Sequence, residues 1–228
     1  NVEGVNATAE STGASVANIN LLKEGNVQIA FVQNDITYYA DKGEEMFKDQ
    51  KVEGLKALAT IYPETVQLIT LANNNIKSVA DLKGKKVAVG AAGSGVEANA
   101  RQIMAAEGIT YDDIDEQYLS FAEAANGLKD GNIDAGFITA GFPTAAIQDL
   151  SAQHDVLLIP VSDATADKLI ADYPFYTKIV IPAGTYQKQT EDVNTLAVKA
   201  MLVVTDEMDE QLAYDITKAI YSNLDKLK

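Results

Sequence analysis

The segment Lys85 to Gly108, KKVAVGAAGSGVEANARQIMAAEG, constrains this chain most, because it joins a short buried-strand pattern to a helix through Gly90, Gly93, Ser94 and Gly95. Val87, Ala88 and Val89 form a compact apolar run ending at Gly90, and beyond the loop Ala100, Ile103 and Met104 fall on one helical face. The first N–H groups of a helix have no partner within it and carry the positive end of its dipole. Glycines let an anion approach that backbone closely. The loop therefore reads as a seat for a carboxylate or phosphate. Ser94 with Glu97 three residues on also has the spacing of a capping box, which requires no ligand.

The chain has 228 residues, enough for one large domain or two lobes, and its hydrophobic fraction of 47% with distributed apolar runs predicts a folded core. A formal net charge of -15 without a clustered Lys/Arg footprint argues against coating nucleic acid or an anionic membrane. With no cysteine there is no disulfide framework, thiolate metal site or thiol nucleophile, a composition compatible with the cytoplasm or an oxidising compartment. No run has the length of a membrane span, and Asn1-Val2-Glu3-Gly4 has neither a basic start nor an apolar signal core, so the chain reads as cytoplasmic or already processed. Its ends look cut, inside a strand pattern at Val5 to Glu10 and inside a helical pattern at Glu210 to Leu227.

Between the ends, strands and helices alternate. After Val5 to Glu10, Ser11-Thr12-Gly13-Ala14-Ser15 leads into a helix with Val16, Ile19 and Leu22, stopped by Gly25, and a strand from Val27 to Val32 runs into Gln33-Asn34-Asp35 and another helix. Leu55 to Ile61 and Thr65 to Leu71 read as two strands around a Tyr62-Pro63 turn, followed by a short helix and turn from Ile76 to Gly84. Beyond the glycine loop come strands near Gln117 to Leu119, Ala135 to Ile138, Val156 to Val161, Lys178 to Ile181 and Leu196 to Val204. Helices lie at Phe121 to Leu128, Thr144 to Leu150, with Pro143 in the first turn, and Ala164 to Asp172. The predicted architecture is α/β with mostly parallel sheets in two lobes, ligand groups gathering at the carboxyl ends of strands. Lobe one is expected to comprise 1–79 and 184–228, and lobe two 80–183.

An enzymatic reading finds little support. The single histidine, His154, sits in a polar turn, and there is no GxSxG elbow, HExxH or complete GxxxxGK[ST] loop, since GAAGSG lacks the lysine. A dinucleotide fingerprint would need GxGxxG spacing. The acidic runs Asp112, Asp113, Asp115, Glu116 and Asp206, Glu207, Asp209, Glu210 read as solvated surface, and no spacing matches a calcium loop, so neither a metal nor a cofactor is expected. Arg101, two turns into the helix, is expected to face solvent or a neighbouring acid, and Tyr38, Tyr39 and Tyr176 to be core or wall a cleft.

Five motifs carry a resemblance. SerThrGlyAlaSer at 11–15, PheValGlnAsnAsp at 31–35, GlyAlaAlaGlySerGly at 90–95, ThrAlaGlyPhePro at 139–143 and IleProAlaGlyThrTyr at 181–186 occur in the order and spacing of the TAXI family, and the resemblance covers essentially the whole chain. These are extracytoplasmic solute-binding proteins of one branch of the TRAP transporters. The resemblance implies a type II periplasmic-binding-protein fold, two α/β lobes joined by crossing strands. It further implies closure over a small acidic solute such as glutamate, glutamine or a related amino, oxo or dicarboxylic acid, delivered to membrane components driven by an ion gradient. Carried over by motif, Ser11, Thr12 and Gln33 would line the cleft from lobe one. Ser94, Gly95 and Val96, with Thr139, Ala140 and Gly141, would line it from lobe two.

The pattern departs from the family at the ends. Before the position of Val5 the family carries a first strand and a glycine- and tyrosine-rich turn, about 25–30 residues on the scale of such a unit. Its absence from the molecule would leave unpaired backbone, to be repaired by exchange or association. The alternatives are a fragment that binds no solute and the ligand-sensing domain of a regulator, which shares this fold class.

Overall fold

The computed structural model describes residue 2 and residues 4–227. The chain divides into two compact units, 62–199 and a discontinuous one formed by 1–61 with 200–228. Two long strands run from one unit into the other, β2 (Leu55–Leu71) and β8 (Val193–Thr205). The sequence places the seams at turns near 79 and 184, but the chain changes unit inside these strands. Residues 65–71 of β2 ladder with partners in the 62–199 unit, as do residues 193–197 of β8. The two strands expected around Tyr62-Pro63 are therefore one, and Pro63, which has no N–H to donate, lies before the stretch paired with β5, which begins at Thr65.

In the unit formed by 1–61 and 200–228, α1 (Ser15–Lys23) precedes β1 (Ala30–Gln33), which pairs antiparallel with Ala200 to Val203 of β8 and runs directly into α2 (Asn34–Lys42). Ile19, Leu22, Val32, Ile36, Tyr39, Val203 and Val204 are buried. The strand expected at Val5 to Glu10 does not form. This stretch is exposed and outside any helix or strand, because a strand needs a ladder partner for its backbone groups and none of the described residues supplies one.

In the 62–199 unit, β3 (Lys86–Ala88) is followed by α3 (Gly95–Ala106), β4 (Asp115–Gln117), α4 (Phe121–Lys129), β5 (Ala135–Ala140), α5 (Ala145–Ser151), β6 (Val156–Ile159), α6 (Asp163–Asp172) and β7 (Thr177–Ile181). β3 is parallel to both β4 and β5, while β2 is antiparallel to β5 and β6, and β7 to β8. The final helical pattern, after β8, is split into α7 (Glu210–Tyr221) and α8 (Leu224–Leu227). Strand alternation covers both sides of the sheet. Val66, Leu68, Val87, Val89 and Phe137 pack with Val96, Ile103 and Met104 of α3 and Leu169 of α6, while Ile69, Ala88 and Ile138 pack with Leu128 of α4 and Ile147 of α5.

Local chemistry explains several boundaries. Ser120 opens α4 through a capping box with Glu123, and similar boxes, Ser78 with Asp81 and Thr110 with Asp113, open short 3-10 turns. Asp113 thus has a structural task inside a run expected to be merely solvated. Hydrogen bonds from the Lys77 N–H, the Thr110 N–H and the Ser120 hydroxyl hold the Asp81, Asp113 and Glu123 carboxyls below their ordinary values. A depressed carboxyl stabilises the fold above its unfolded pKa, and that stabilisation disappears as pH falls through the folded value. Stability measured by urea unfolding should therefore stay level from pH 7 to about 5 and decline below about pH 4. Replacing all three by their amides should flatten that decline.

Tyr176 is buried and joins two α3 side chains, donating to Gln102 Oε1 at 2.7 Å and accepting from Asn99 Nδ2 at 2.9 Å. Its role is core rather than cleft wall, and Tyr39 is buried likewise. Tyr176→Phe removes the shared hydroxyl, so it should cost about 1–3 kcal/mol, read by thermal unfolding as a fall of roughly 2–4 °C per kcal/mol.

Candidate functional site

The glycine loop forms as its sequence demands. Gly90 has φ of 100°, and a Cβ there would lie 2.6 Å from Val96 Cβ and 2.8 Å from Ser94 Oγ, so only glycine lets α3 begin this close to the end of β3. Ser94 is extended, 3% exposed, and caps α3 by accepting from the Glu97 N–H at 3.4 Å. The reciprocal half of the capping box is not made. The Glu97 carboxylate instead accepts from Arg101 Nε at 3.2 Å and from the Tyr111 hydroxyl at 2.6 Å. Arg101 thus turns to a neighbouring acid, and burial together with the Glu97 carboxylate pushes the Tyr111 hydroxyl far above its ordinary value. The Gly95 and Val96 N–H groups belong to the first turn of α3, whose donors have no intrahelical acceptor.

Strand order explains why a second loop stands beside this one. From β3 the chain crosses to β4 on one side, whereas from β5 it leads through α5 to β6, paired with β2 on the other. The carboxyl ends of β3 and β5 therefore flank a topological switch point, where open α/β sheets bind ligands. Thr139 on β5 stands opposite Val66 and shares its face, the face covered by α3. It is 3% exposed, and its Oγ1 has no hydrogen-bond partner. Ser94, Gly95, Val96, Thr139, Ala140 and Gly141 are thus gathered at one edge of one unit. Residues 88–96 and 139–144 contain no Lys, Arg or His.

The turn after β5 is locked from the opposite face by three side chains that sequence reasoning left unassigned. Gln67 Nε2 donates to Thr144 Oγ1 at 2.9 Å and to the Ala140 carbonyl at 3.4 Å, and Thr144 Oγ1 donates to the Gly141 carbonyl at 2.9 Å. The Tyr186 hydroxyl donates to Gln67 Oε1 and accepts from the Thr144 N–H at 2.9 Å. Burial raises the Tyr186 pKa, keeping the hydroxyl protonated as a donor. Thr144 is the N-cap residue and α5 starts at Ala145, so Pro143 precedes the helix rather than occupying its first turn. The available signals were Gln67, a polar residue inside a strand covered on both faces, and the IleProAlaGlyThrTyr motif ending at Tyr186.

Ser11, Thr12 and Gln33 belong to the other unit. Ser11 and Thr12 are exposed, and Thr12 Oγ1 accepts from the Ala14 N–H at 3.2 Å and donates to Asn18 Oδ1 at 2.5 Å. Asn18 Nδ2 donates to the Phe31 carbonyl at 2.7 Å, and Ser15 Oγ accepts from the Gln33 N–H at 3.2 Å, so the start of α1 is tied to the end of β1. Gln33 is buried at the N-cap position of α2, yet its side chain makes no capping bond. Ser15 and Asn18, which make these ties, were not singled out from sequence. His154 lies in the turn after α5, beside Leu71, Ala72 and Asn73, at the other end of that helix from residues 139–144. Among the described residues no group of three or more His, Asp or Glu is placed to hold a metal, and no helix is long and apolar enough to cross a membrane.

The sequence matches the NMT1-like family over residues 1–228. The chain belongs to that family. A protein of Escherichia coli (strain K12) named as an aliphatic sulfonates-binding protein is 35% identical over 85 residues, which are 37% of this chain and 26% of that one. The alkanesulfonate-binding protein SsuA from Xanthomonas axonopodis pv. citri, bound to MOPS, superposes with a TM-score of 0.57 at 16% identity, covering 92% of this chain and 58% of that one. The substrate binding protein of an amino acid ABC transporter gives a TM-score of 0.55 at 14% identity, covering 98% of this chain and 75% of that one. This family member therefore has the two-lobe α/β fold of periplasmic binding proteins, as its sequence predicts, and spans little more than half the length of the Xanthomonas protein.

Gly90→Ala tests the loop directly. The strained φ and the overlap with Val96 should each cost about 1–3 kcal/mol, and thermal unfolding should show a loss of several degrees. Gly93→Ala, strained in φ with open space around its Cβ, should lose less.

Proposed function

We propose that this chain is the extracytoplasmic, solute-capturing component of a membrane transporter, and that its solute is a small acid held by its oxyanion at the start of α3. The observation that carries the reading is the convergence, at one edge of the 62–199 unit, of the α3 N-terminal N–H groups, Ser94 and the unpartnered buried hydroxyl of Thr139. Donors of this kind suit a carboxylate or sulfonate without a full opposite charge. Membership of the NMT1-like family and the periplasmic-binding-protein fold support capture and release rather than catalysis.

The finer reading follows the five motifs. The transporter is then of the TRAP type, TAXI branch, driven by an ion gradient through its membrane components, and the solute is glutamate, glutamine or a related amino, oxo or dicarboxylic acid. Ser11, Thr12 and Gln33 contribute from the unit formed by 1–61 and 200–228, where Gln33 can both donate and accept. A second reading, a sulfonate captured for an ABC-type transporter, is favoured by the names of the Escherichia coli and Xanthomonas relatives.

Thermal unfolding with L-glutamate, L-glutamine, 2-oxoglutarate, ethanesulfonate and taurine separates the readings. A ligand at 100 times its Kd adds about 2.7 kcal/mol, a shift of roughly 5–10 °C at this chain length. Shifts confined to the carboxylates support the finer reading, and shifts confined to the sulfonates support the second. No shift with any of the five overturns the proposed solute class. Thr139→Val should weaken the effective ligand by about tenfold while leaving the fold intact.

A further inference from the structure

Five threonines of the 62–199 unit are buried: Thr65, Thr70, Thr139, Thr165 and Thr195. Three of them have hydroxyl partners. Thr70 donates to the Asp134 carbonyl at 2.6 Å, Thr195 to the Val66 carbonyl at 2.7 Å, and Thr165 meets Ser162 Oγ at 2.7 Å. The two whose hydroxyls have none are Thr139 and Thr65. Chance placement would not favour one end of the sheet, yet both stand at the edge where the glycine loop and the turn after β5 emerge.

Thr65 is 0% exposed and its register partner is Ala140, the last residue of β5. Since β2 is antiparallel to β5, Thr65 lies at the carboxyl end of β5, while Thr70 lies at the opposite end, across from Ala135. Alternation places Thr65 on the face of Gln67, two residues beyond it toward the edge. Gln67 is committed to Ala140, Thr144 and Tyr186. Thr139 is on the other face, with α3. The two hydroxyls therefore flank the β2–β5 pair at its edge, one on each side. A valine at position 65 would fill the same volume without burying an unpaired hydroxyl, which is destabilising relative to its apolar isostere.

We propose that the Thr65 hydroxyl is a solute-binding group, and that the solute is bifunctional. Its oxyanion is held by the α3 N-terminus and Thr139, and a second hydrogen-bonding group, a carboxylate, amide, hydroxyl or amine, is held by Thr65. This rests on the proposed function for the identity of the first site, and it narrows the solute from any small acid to one carrying two polar ends.

The test compares the full chain with its Thr65→Val, Thr139→Val and Thr195→Val variants, first by thermal unfolding without ligand. Thr65→Val should unfold at or above the Tm of the parent, and Thr195→Val, which loses a made hydrogen bond, below it. Calorimetric titration then uses L-glutamate, 2-oxoglutarate and taurine, and Thr65→Val should weaken whichever of them binds the parent by about tenfold. A Tm that falls for Thr65→Val as it does for Thr195→Val shows a structural hydroxyl and overturns the proposal. Unchanged affinity in Thr65→Val with weakened affinity in Thr139→Val overturns it too, while the proposed function stands. If none of these three, L-glutamine or ethanesulfonate binds the parent, the proposed function fails and the inference falls with it.

Discussion

The close approach of α3 to the end of β3 is the constraint on which the 62–199 unit depends. At Gly90 the backbone passes where a Cβ would overlap Val96 and Ser94, so the helix starts within one short loop of the strand instead of standing off from the sheet. That brings the unpaired N–H groups of its first turn to the sheet edge. It also lets Val96, Ile103 and Met104 pack onto Val87, Val89 and Phe137, so the burial that stabilises the unit also aims the donors. A longer or bulkier loop would relax both together.

This local field operates inside a protein of formal net charge -15. The long-range potential repels an anionic solute, but ionic screening confines that repulsion to roughly 8 Å at physiological salt. A helix terminus also acts within about one turn of its end. On the proposed reading, capture of an acid by this edge is a contact effect set by hydrogen-bond geometry, and attraction from a distance contributes little. The pairing of Glu97 with Arg101 and Tyr111 matters here, because it holds the one carboxylate of the first α3 turn against partners of its own.

Sequence made the 62–199 unit more legible than the other. The glycine loop, β5 and the helices around them follow from apolar periodicity and turn residues, signals confined to a few neighbouring positions. The continuous β2 reads as two strands because Tyr62-Pro63 looks like a turn, whereas proline is tolerated in a strand where no ladder bond needs its N–H. Val5 to Glu10 was misread for the converse reason. A β-prone run becomes a strand only beside a partner, and no short window of sequence reports whether one exists. The candidate residues at 94–96 and 139–141 could be read because backbone groups at strand ends announce themselves through glycine, serine and threonine. Thr65, Gln67 and Tyr186 could not. Gln67 and Tyr186 act through contacts spanning 42 to 119 residues of chain, and Thr65 is placed by register alone.

The buried polar groups at this edge fall into two kinds, and the contrast bears on how a small site can be both rigid and receptive. Gln67, Thr144 and Tyr186 bond one another and the Ala140 and Gly141 carbonyls, and a network with its members paired fixes one geometry of the turn after β5. Thr139 and Thr65 rise from the same pair of strands with hydroxyls that no protein atom takes up. A rigid support lowers the entropy lost when a solute is ordered, and unpaired donors gain most from a solute that arrives. The first kind stabilises the protein as it stands, and the second leaves it less stable than apolar residues in the same places would. Stability alone would therefore favour valine at both threonines, and on the proposed reading a bound solute supplies the partner that the protein does not.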